Sequence, residues 1–217
     1  MIRTFHVCKS YGARNALDDV SLHIKKGDFV FINGPSGAGK TTLLKLLYLG
    51  ERATKGQILI DGANLQRINS KRLPYLRRKI GVVFQDFKLI NTQTVFQNIA
   101  LPLEVTGYDK KYIRKKVSYV LRMVGLENRI HSYPLYLSGG EQQRIAIARA
   151  VVNDPMILLA DEPTGNLDAR SSRIVLNLLR QLHTRGTTVI VATHDKRPIS
   201  EPNDRAIFLD KGRIIKD

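Results

Sequence analysis

Three groups of residues in this chain have the types and spacing for phosphate chemistry. The first is Gly34-Pro35-Ser36-Gly37-Ala38-Gly39-Lys40-Thr41. Glycine lets a backbone wrap a phosphate with its N–H groups turned inward, so Gly34, Ser36, Gly37 and Gly39 form the wrap. Lys40 can set its ammonium between the β- and γ-phosphates, Thr41 can offer a hydroxyl to Mg²⁺, and Thr42 can add a contact nearer the α-phosphate. The second group is Asp161-Glu162. Asp161 suits holding Mg²⁺ through water, and Glu162 can polarise an attacking water. The alternative is two acids opening a loop before Pro163, although carboxylates beside an apolar strand are costly without a cation to face. The third group is Leu137-Ser138-Gly139-Gly140-Glu141-Gln142-Gln143-Arg144. Ser138 and Glu141 are spaced as a capping box, which by itself would only start a helix. A cap does not require paired glycines, and Gly139 and Gly140 leave helix-terminal N–H groups open to an anion.

The elements that must position these residues can be read from the same chain. The glycine-rich loop follows an expected strand, Asp28 to Ile32, and precedes a leucine-rich helix, Thr41 to Leu49. Asp161-Glu162 stands at the carboxyl end of Ile157 to Ala160, a wholly apolar run that implies burial on both faces. Open α/β sheets bind ligands at that end. Gln85 follows the expected strand Ile80 to Phe84, and His194 follows Val189 to Thr193. Ile2 to Val7, Val20 to Ile24 and Gly56 to Gly62 read as further short strands, and Ala206 to Ile215 reads as a hairpin about Asp210-Lys211-Gly212. Helical periodicity dominates from about Asp86 to Val152, and a later helix runs from about Ser171 to His183 before Gly186. This alternation predicts an α/β parallel sheet with a helical insertion and a few antiparallel strands. With no internal repeat or linker, residues 1–217 read as one nucleotide-binding unit, its helical part at about 86–152.

The bulk numbers limit what else the chain can be. At 217 residues it suits one large domain or two lobes sharing a core. The longest apolar runs, such as Met156 to Ala160, fall far short of the roughly 18 residues that span a bilayer. No basic-then-apolar leader opens the sequence, so no signal peptide is expected, and any path across a membrane is expected from another chain. The lone cysteine, Cys8, excludes an intrachain disulfide, agrees with a reducing cytosol and suits a small core or edge residue of the first strand. The net charge is +16, from 35 Lys plus Arg against 19 Asp plus Glu, concentrated at Arg77-Arg78-Lys79 and between Lys110 and Lys116. Such a balance suits anionic lipid or nucleic acid. Because Ile113, Val117, Val120, Leu121 and Val124 form one helical stripe, a solvated helix face is the first reading of the second cluster, membrane proximity the second and nucleic acid the third.

Taken in order along the chain, these motifs resemble those of ATP-binding cassette (ABC) ATPases from about Tyr11 to His194. The resemblance implies a P-loop NTPase fold with a RecA-like core, an antiparallel β subdomain and a helical subdomain. It also implies hydrolysis of ATP to ADP and phosphate with Mg²⁺. Gln85 would then touch metal or water and join the core to the helical lobe, and His194 would contact the γ-phosphate. The catalytic set becomes Glu162, His194 and Gln85, and the metal set Thr41, Gln85 and Asp161. Two copies would face each other, with Ser138, Gly139 and Gly140 meeting the γ-phosphate held by the opposite copy and Asn166-Leu167-Asp168 reaching across. Tyr11 sits where the family stacks an aromatic ring on adenine, although a tyrosine in an amino-terminal turn can simply pack.

A narrower resemblance follows from Thr164-Gly165-Asn166-Leu167-Asp168, a form found in ATPases of cell division, lipoprotein release and macrolide export. Phe84-Gln85-Asp86-Phe87-Lys88-Leu89 and Ala148-Arg149-Ala150-Val151-Val152-Asn153 look most like the FtsE family of bacterial cell-division ATPases, with Lys55-Gly56 and Ile90-Asn91 as departures. That implies an FtsX-like integral membrane partner docked on about 86–105, contact with division-machinery proteins, and a place on the cytoplasmic face of the inner membrane. A lipoprotein-release or macrolide exporter ATPase is the alternative. A soluble cassette acting on nucleic acid ranks below it, because such relatives usually carry two cassettes or long inserted coils, and no specific nucleic acid is expected. Glu162 and His194 argue against a nucleotide-gated adaptor that hydrolyses little.

Overall fold

The computed structural model describes residues 1–195 and 204–217. Its amino-terminal part is a four-stranded antiparallel sheet in the order β2-β1-β4-β5, with β1 Ile2–Tyr11, β2 Arg14–Ile24, β4 Lys55–Ile60 and β5 Ala63–Asn64. β1 and β2 are longer than the sequence pattern predicts. Register shifts between Thr4 and Ser10, together with left-handed His6 and Asp19, interrupt the two-residue alternation that marks a strand. Cys8 lies in this interrupted stretch and is half-buried.

The second sheet has six strands in the order β10-β9-β3-β8-β7-β6. Here β3 is Phe29–Asn33, β6 Ile80–Val83, β7 Ile157–Asp161 and β8 Thr188–Thr193, all parallel, while β9 Arg205–Asp210 and β10 Arg213–Lys216 make the terminal hairpin. β3 shows why these strands are apolar throughout. Phe29 and Phe31 enter the core on one side of the sheet, and Val30 and Ile32 enter the core on the other. The second side is covered by α1 (Lys40–Leu47) and the antiparallel sheet. The first is covered by α3 (Val95–Val105), α4 (Lys110–Met123), α5 (Gly139–Val151) and α6 (Ala169–Thr184).

α1 stops two residues before its expected end, where Leu49 turns left-handed and Gly50 N–H bonds back to Lys45 O at 2.8 Å. Arg77, in the first basic cluster, donates to Tyr48 O and Leu49 O at 3.3 and 2.8 Å and so finishes this turn. α6 begins earlier than the periodicity predicts because Asp168 caps it, accepting from Ser171 N–H at 2.9 Å. The short helix α2 (Leu73–Arg78) has no counterpart in the sequence reading, since six residues are too few to show a period. No helix among the described residues is long and apolar enough to cross a membrane.

Candidate functional site

β3, β7, β8 and β6 present their carboxyl ends side by side, and the loops leaving them converge on one cleft of about 740 Å³. The glycine-rich loop leaves β3 at Asn33. A side chain at Gly34 would overlap the carbonyl of Leu209, and Gly39, at φ 107°, would place a Cβ 2.5 Å from Ala16 O. Both positions therefore require glycine. The loop wraps Lys40, whose ammonium donates to Gly34 O at 2.7 Å and Pro35 O at 3.0 Å. Ser36, Gly37, Gly39, Lys40, Thr41 and Thr42 form one wall of the cleft, while Gln85, Glu162 and His194 reach it from the neighbouring strand ends.

Glu162 is held in a left-handed conformation, φ 46°, just past the end of β7, and its N–H donates to Ala192 O at 2.9 Å. That turn brings Oε1 to 2.9 Å from His194 Nδ1 and 3.7 Å from Lys40 Nζ. Oε2 is buried and has no hydrogen-bond partner. Asp161, the preceding residue, accepts from the Thr41 hydroxyl at 3.1 Å. Burial raises the Asp161 carboxyl above its ordinary pKa, with the neighbouring Glu162 adding to the rise while the Thr41 bond and Lys40 oppose it. A desolvated carboxylate against a hydroxyl is a pair of oxygen donors that fits a hard divalent cation such as Mg²⁺. Among the described residues no three His, Cys, Asp or Glu side chains cluster as metal ligands. A Mg²⁺ held by one carboxylate and neutral side-chain oxygens, and completed by water and phosphate, fits that arrangement.

Tyr11 lies at the rim, with Lys9 Nζ 4.8 Å from its ring centroid and its hydroxyl donating to the Glu51 carboxylate. Arg14, which the sequence reading did not single out, lines the same cleft beside Gly37. A lone arginine in a hairpin turn carries no local signal, and only the folding of β2 against the loop brings it there.

Ser138, Gly139, Gly140 and Asp168 are not among the residues lining the cleft. They form a patch where α5 and α6 begin side by side. The capping box is complete: Glu141 N–H donates to Ser138 Oγ at 3.3 Å and Ser138 N–H to Glu141 Oε2 at 2.9 Å. The bond from the Ser138 backbone is the main cause that holds the Glu141 carboxyl below the usual range, and Arg129 assists at 3.2 Å. At Gly140 the structure adds a second reason for glycine, the packing of α5 on α6. Gly140 is buried, and a Cβ there would sit 2.6 Å from Ser171 Oγ. Its missing side chain lets α5 approach α6, so the outward surface is Ser138 and Gly139. Asp168 is likewise engaged within the chain, its carboxyl lowered by bonds from the Ser171 hydroxyl and N–H.

A second residue missed as a candidate is Arg149, near the far end of α5. Its guanidinium donates to Phe87 O at 2.8 Å and Lys88 O at 2.6 Å, gripping two successive left-handed residues just after Gln85.

The family model described as ABC transporter matches residues 17–165. The Bacillus subtilis cell division ATP-binding protein FtsE is 48% identical over all of this chain and 96% of its own length. The chain belongs to the FtsE family of ABC ATPases. The Escherichia coli FtsE is 46% identical over 99% of the chain and 97% of its own length. Among solved structures, the dimeric ATP-binding cassette MJ0796, in a post-hydrolysis state bound to ADP and Pi, superposes with a TM-score of 0.92 at 38% identity, covering 100% of this chain and 97% of that one. An FtsE-family cassette is an ATP-hydrolysing, nucleotide-binding protein with the P-loop NTPase fold, and the two sheets and helical layer described above are its parts. In this FtsE-family chain, the cleft and the Ser138 patch are separate surfaces of one molecule.

Proposed function

We propose that this chain is the ATPase subunit of a membrane complex acting in bacterial cell division. ATP-dependent pairing of two copies drives an FtsX-like integral membrane partner that regulates cell-wall hydrolysis, with the ATPase on the cytoplasmic face of the inner membrane. The observation that carries the reading is the state of Glu162, a largely buried carboxylate lining the cleft, with one oxygen shared between His194 and Lys40 and the other buried without a hydrogen-bond partner. The cell-division names of relatives nearly half identical along the whole chain support the biological setting.

Phosphate entering the loop offers Lys40 a stronger acceptor than the carbonyls of Gly34 and Pro35, and the backbone N–H groups of Gly37, Gly39 and their neighbours take the remaining oxygens. As Lys40 turns to the phosphate, Glu162 is left with His194 alone. Glu162 then accepts a hydrogen bond from a water and orients it for in-line attack on the γ-phosphorus, while His194 holds Glu162 in place and faces the phosphate oxygens. Thr41, Asp161 and Gln85 would hold Mg²⁺, which would supply charge neutralisation at the phosphates. Ser138 and Gly139 of one copy close the cleft of the other, presenting α5 N–H groups to the γ-phosphate, and Asp168 lies at the same junction. Residues 86–105, which follow Gln85, form the seat of the membrane partner.

The test is Glu162→Gln, tagged and expressed in cells, with sizing chromatography in ATP and capture from solubilised membranes. The expected result is an ATP-stabilised dimer that copurifies with a permease-like protein and division proteins, whereas Lys40→Ala gives neither. A Glu162→Gln protein that stays monomeric in ATP beside its membrane partner overturns the pairing. Capture of a different permease moves the role to lipoprotein release or export.

A further inference from the structure

The outward face of α4 runs against what helix physics favours. Six of its fourteen residues are basic and none is acidic. Lys110 and Lys111 occupy the first turn, where the positive end of the helix dipole disfavours cations. Lys110 and Arg114, and Lys111 and Lys115, are like-charged neighbours four residues apart, which destabilises a helix. The buried stripe of Ile113, Val117, Val120 and Leu121 explains why the helix packs, but not why its other side carries these charges. Lys116 is engaged, pairing with Asp154 at 2.5 Å and lying 5.4 Å from the Tyr119 ring centroid. Among the described residues, the exposed side chains of Lys110, Lys111, Arg114, Lys115 and Arg122 have no partner.

Aromatic rings lie between these cations. At helical spacing Lys111, Lys115 and Arg122 make one row, and Tyr112 and Tyr119 make the adjacent row. Tyr108 stacks on Tyr112 with centroids 4.5 Å apart, and Tyr108, Tyr112 and Tyr119 are 48%, 37% and 51% exposed. A ring with an apolar body and a polar tip, set among long basic side chains, suits the headgroup layer of a bilayer. Only residues 106–109 separate α3 from α4, so this face adjoins the surface proposed above to seat the membrane partner.

We infer that the Lys111-Lys115-Arg122 row of α4, with Tyr108, Tyr112 and Tyr119, binds the headgroups of an anionic phospholipid membrane. The placement beside the bilayer rests on the proposed membrane role, but the binding itself does not require the partner. The purified full-length chain therefore tests it directly, by sedimentation with vesicles of phosphatidylcholine or of phosphatidylglycerol-rich lipid. Binding is expected only to the anionic vesicles, weakening in high salt. The triple variant Lys111→Gln/Lys115→Gln/Arg122→Gln is expected to bind roughly 100-fold more weakly. Tyr112→Ser is expected to cost less than about tenfold. A control triple with the same charge change, Lys71→Gln/Arg72→Gln/Arg78→Gln, is expected to keep full binding, and all variants keep basal ATPase. Equal loss in both triples would mean that net charge alone is responsible. That result, absence of binding to anionic vesicles, or a tighter complex of the α4 face with DNA than with vesicles would overturn the inference. Vesicle binding by a chain that captures no membrane partner would leave the inference standing and count against the division complex.

Discussion

Around Lys40 the side chains are crowded and cross-paired, with an ammonium held by its own loop, a carboxylate shared between a lysine and a histidine, and an aspartate raised by burial. At the start of α5 the demands of the helix end are met: the cap is reciprocal, the acid is stabilised, and the space beside Gly140 is taken by Ser171. The first region stores unfavourable charge placement that a ligand can relieve. The second is stable unaided and offers a finished surface. A site that is completed by a second copy needs both kinds of half, one that gains from binding and one that does not rearrange to meet it.

Substitutions that remove the contrast should have graded effects. The largest is Glu162→Gln in the cleft, expected to lower ATP turnover by roughly 10²–10⁴-fold while nucleotide binding, followed by fluorescence titration, is retained. Next is Gly140→Ala, which drives a methyl into Ser171 and should lower stability by about 1–3 kcal/mol in denaturant melts. Gly139→Ala meets nothing closer than Leu167 at 3.6 Å and should leave stability nearly unchanged while weakening ATP-dependent pairing. If the two alanines destabilise equally, the two glycines do not divide their roles as described.

The two smallest effects have opposite pH signs. The carboxyl of Glu141 is lowered in the fold, so its contribution is full above the unfolded-state pKa and is lost as pH falls through the depressed folded value. Glu141→Gln should therefore cost about 1 kcal/mol near neutrality and little in acid. Asp161 is raised, so its ionised form is penalised, fully above the raised folded pKa and not at all below the unfolded one. Asp161→Asn should give a nucleotide-free protein with a slightly higher melting temperature at neutral pH, an advantage that fades on acidification. Melting curves across pH read both, and two slopes of the same sign would remove the distinction between the regions.

How much could be read in advance follows the same division. The glycine-rich loop is eight consecutive residues whose chemistry is local, and the apolar runs of β7 and β8 announce a buried parallel sheet. Ser138 and Glu141 are three residues apart, so their cap is also legible. What was not legible depends on pairs far apart in the chain. Arg14 reaches the cleft only once β2 is folded, and Gly140 is explained by Ser171 on another helix. β1 and β2 exceed their sequence pattern for a different reason, because left-handed residues and register shifts erase the alternation that marks a strand.

The grip of Arg149 on Phe87 and Lys88 makes α5 a tie between two surfaces. Ser138 stands at one end of this helix and Arg149 is eleven residues along it, roughly 16 Å at the rise of an α-helix. The backbone it clasps is bent into two left-handed residues. The loop after Gln85 and the Ser138 surface are therefore held by the two ends of a single helix.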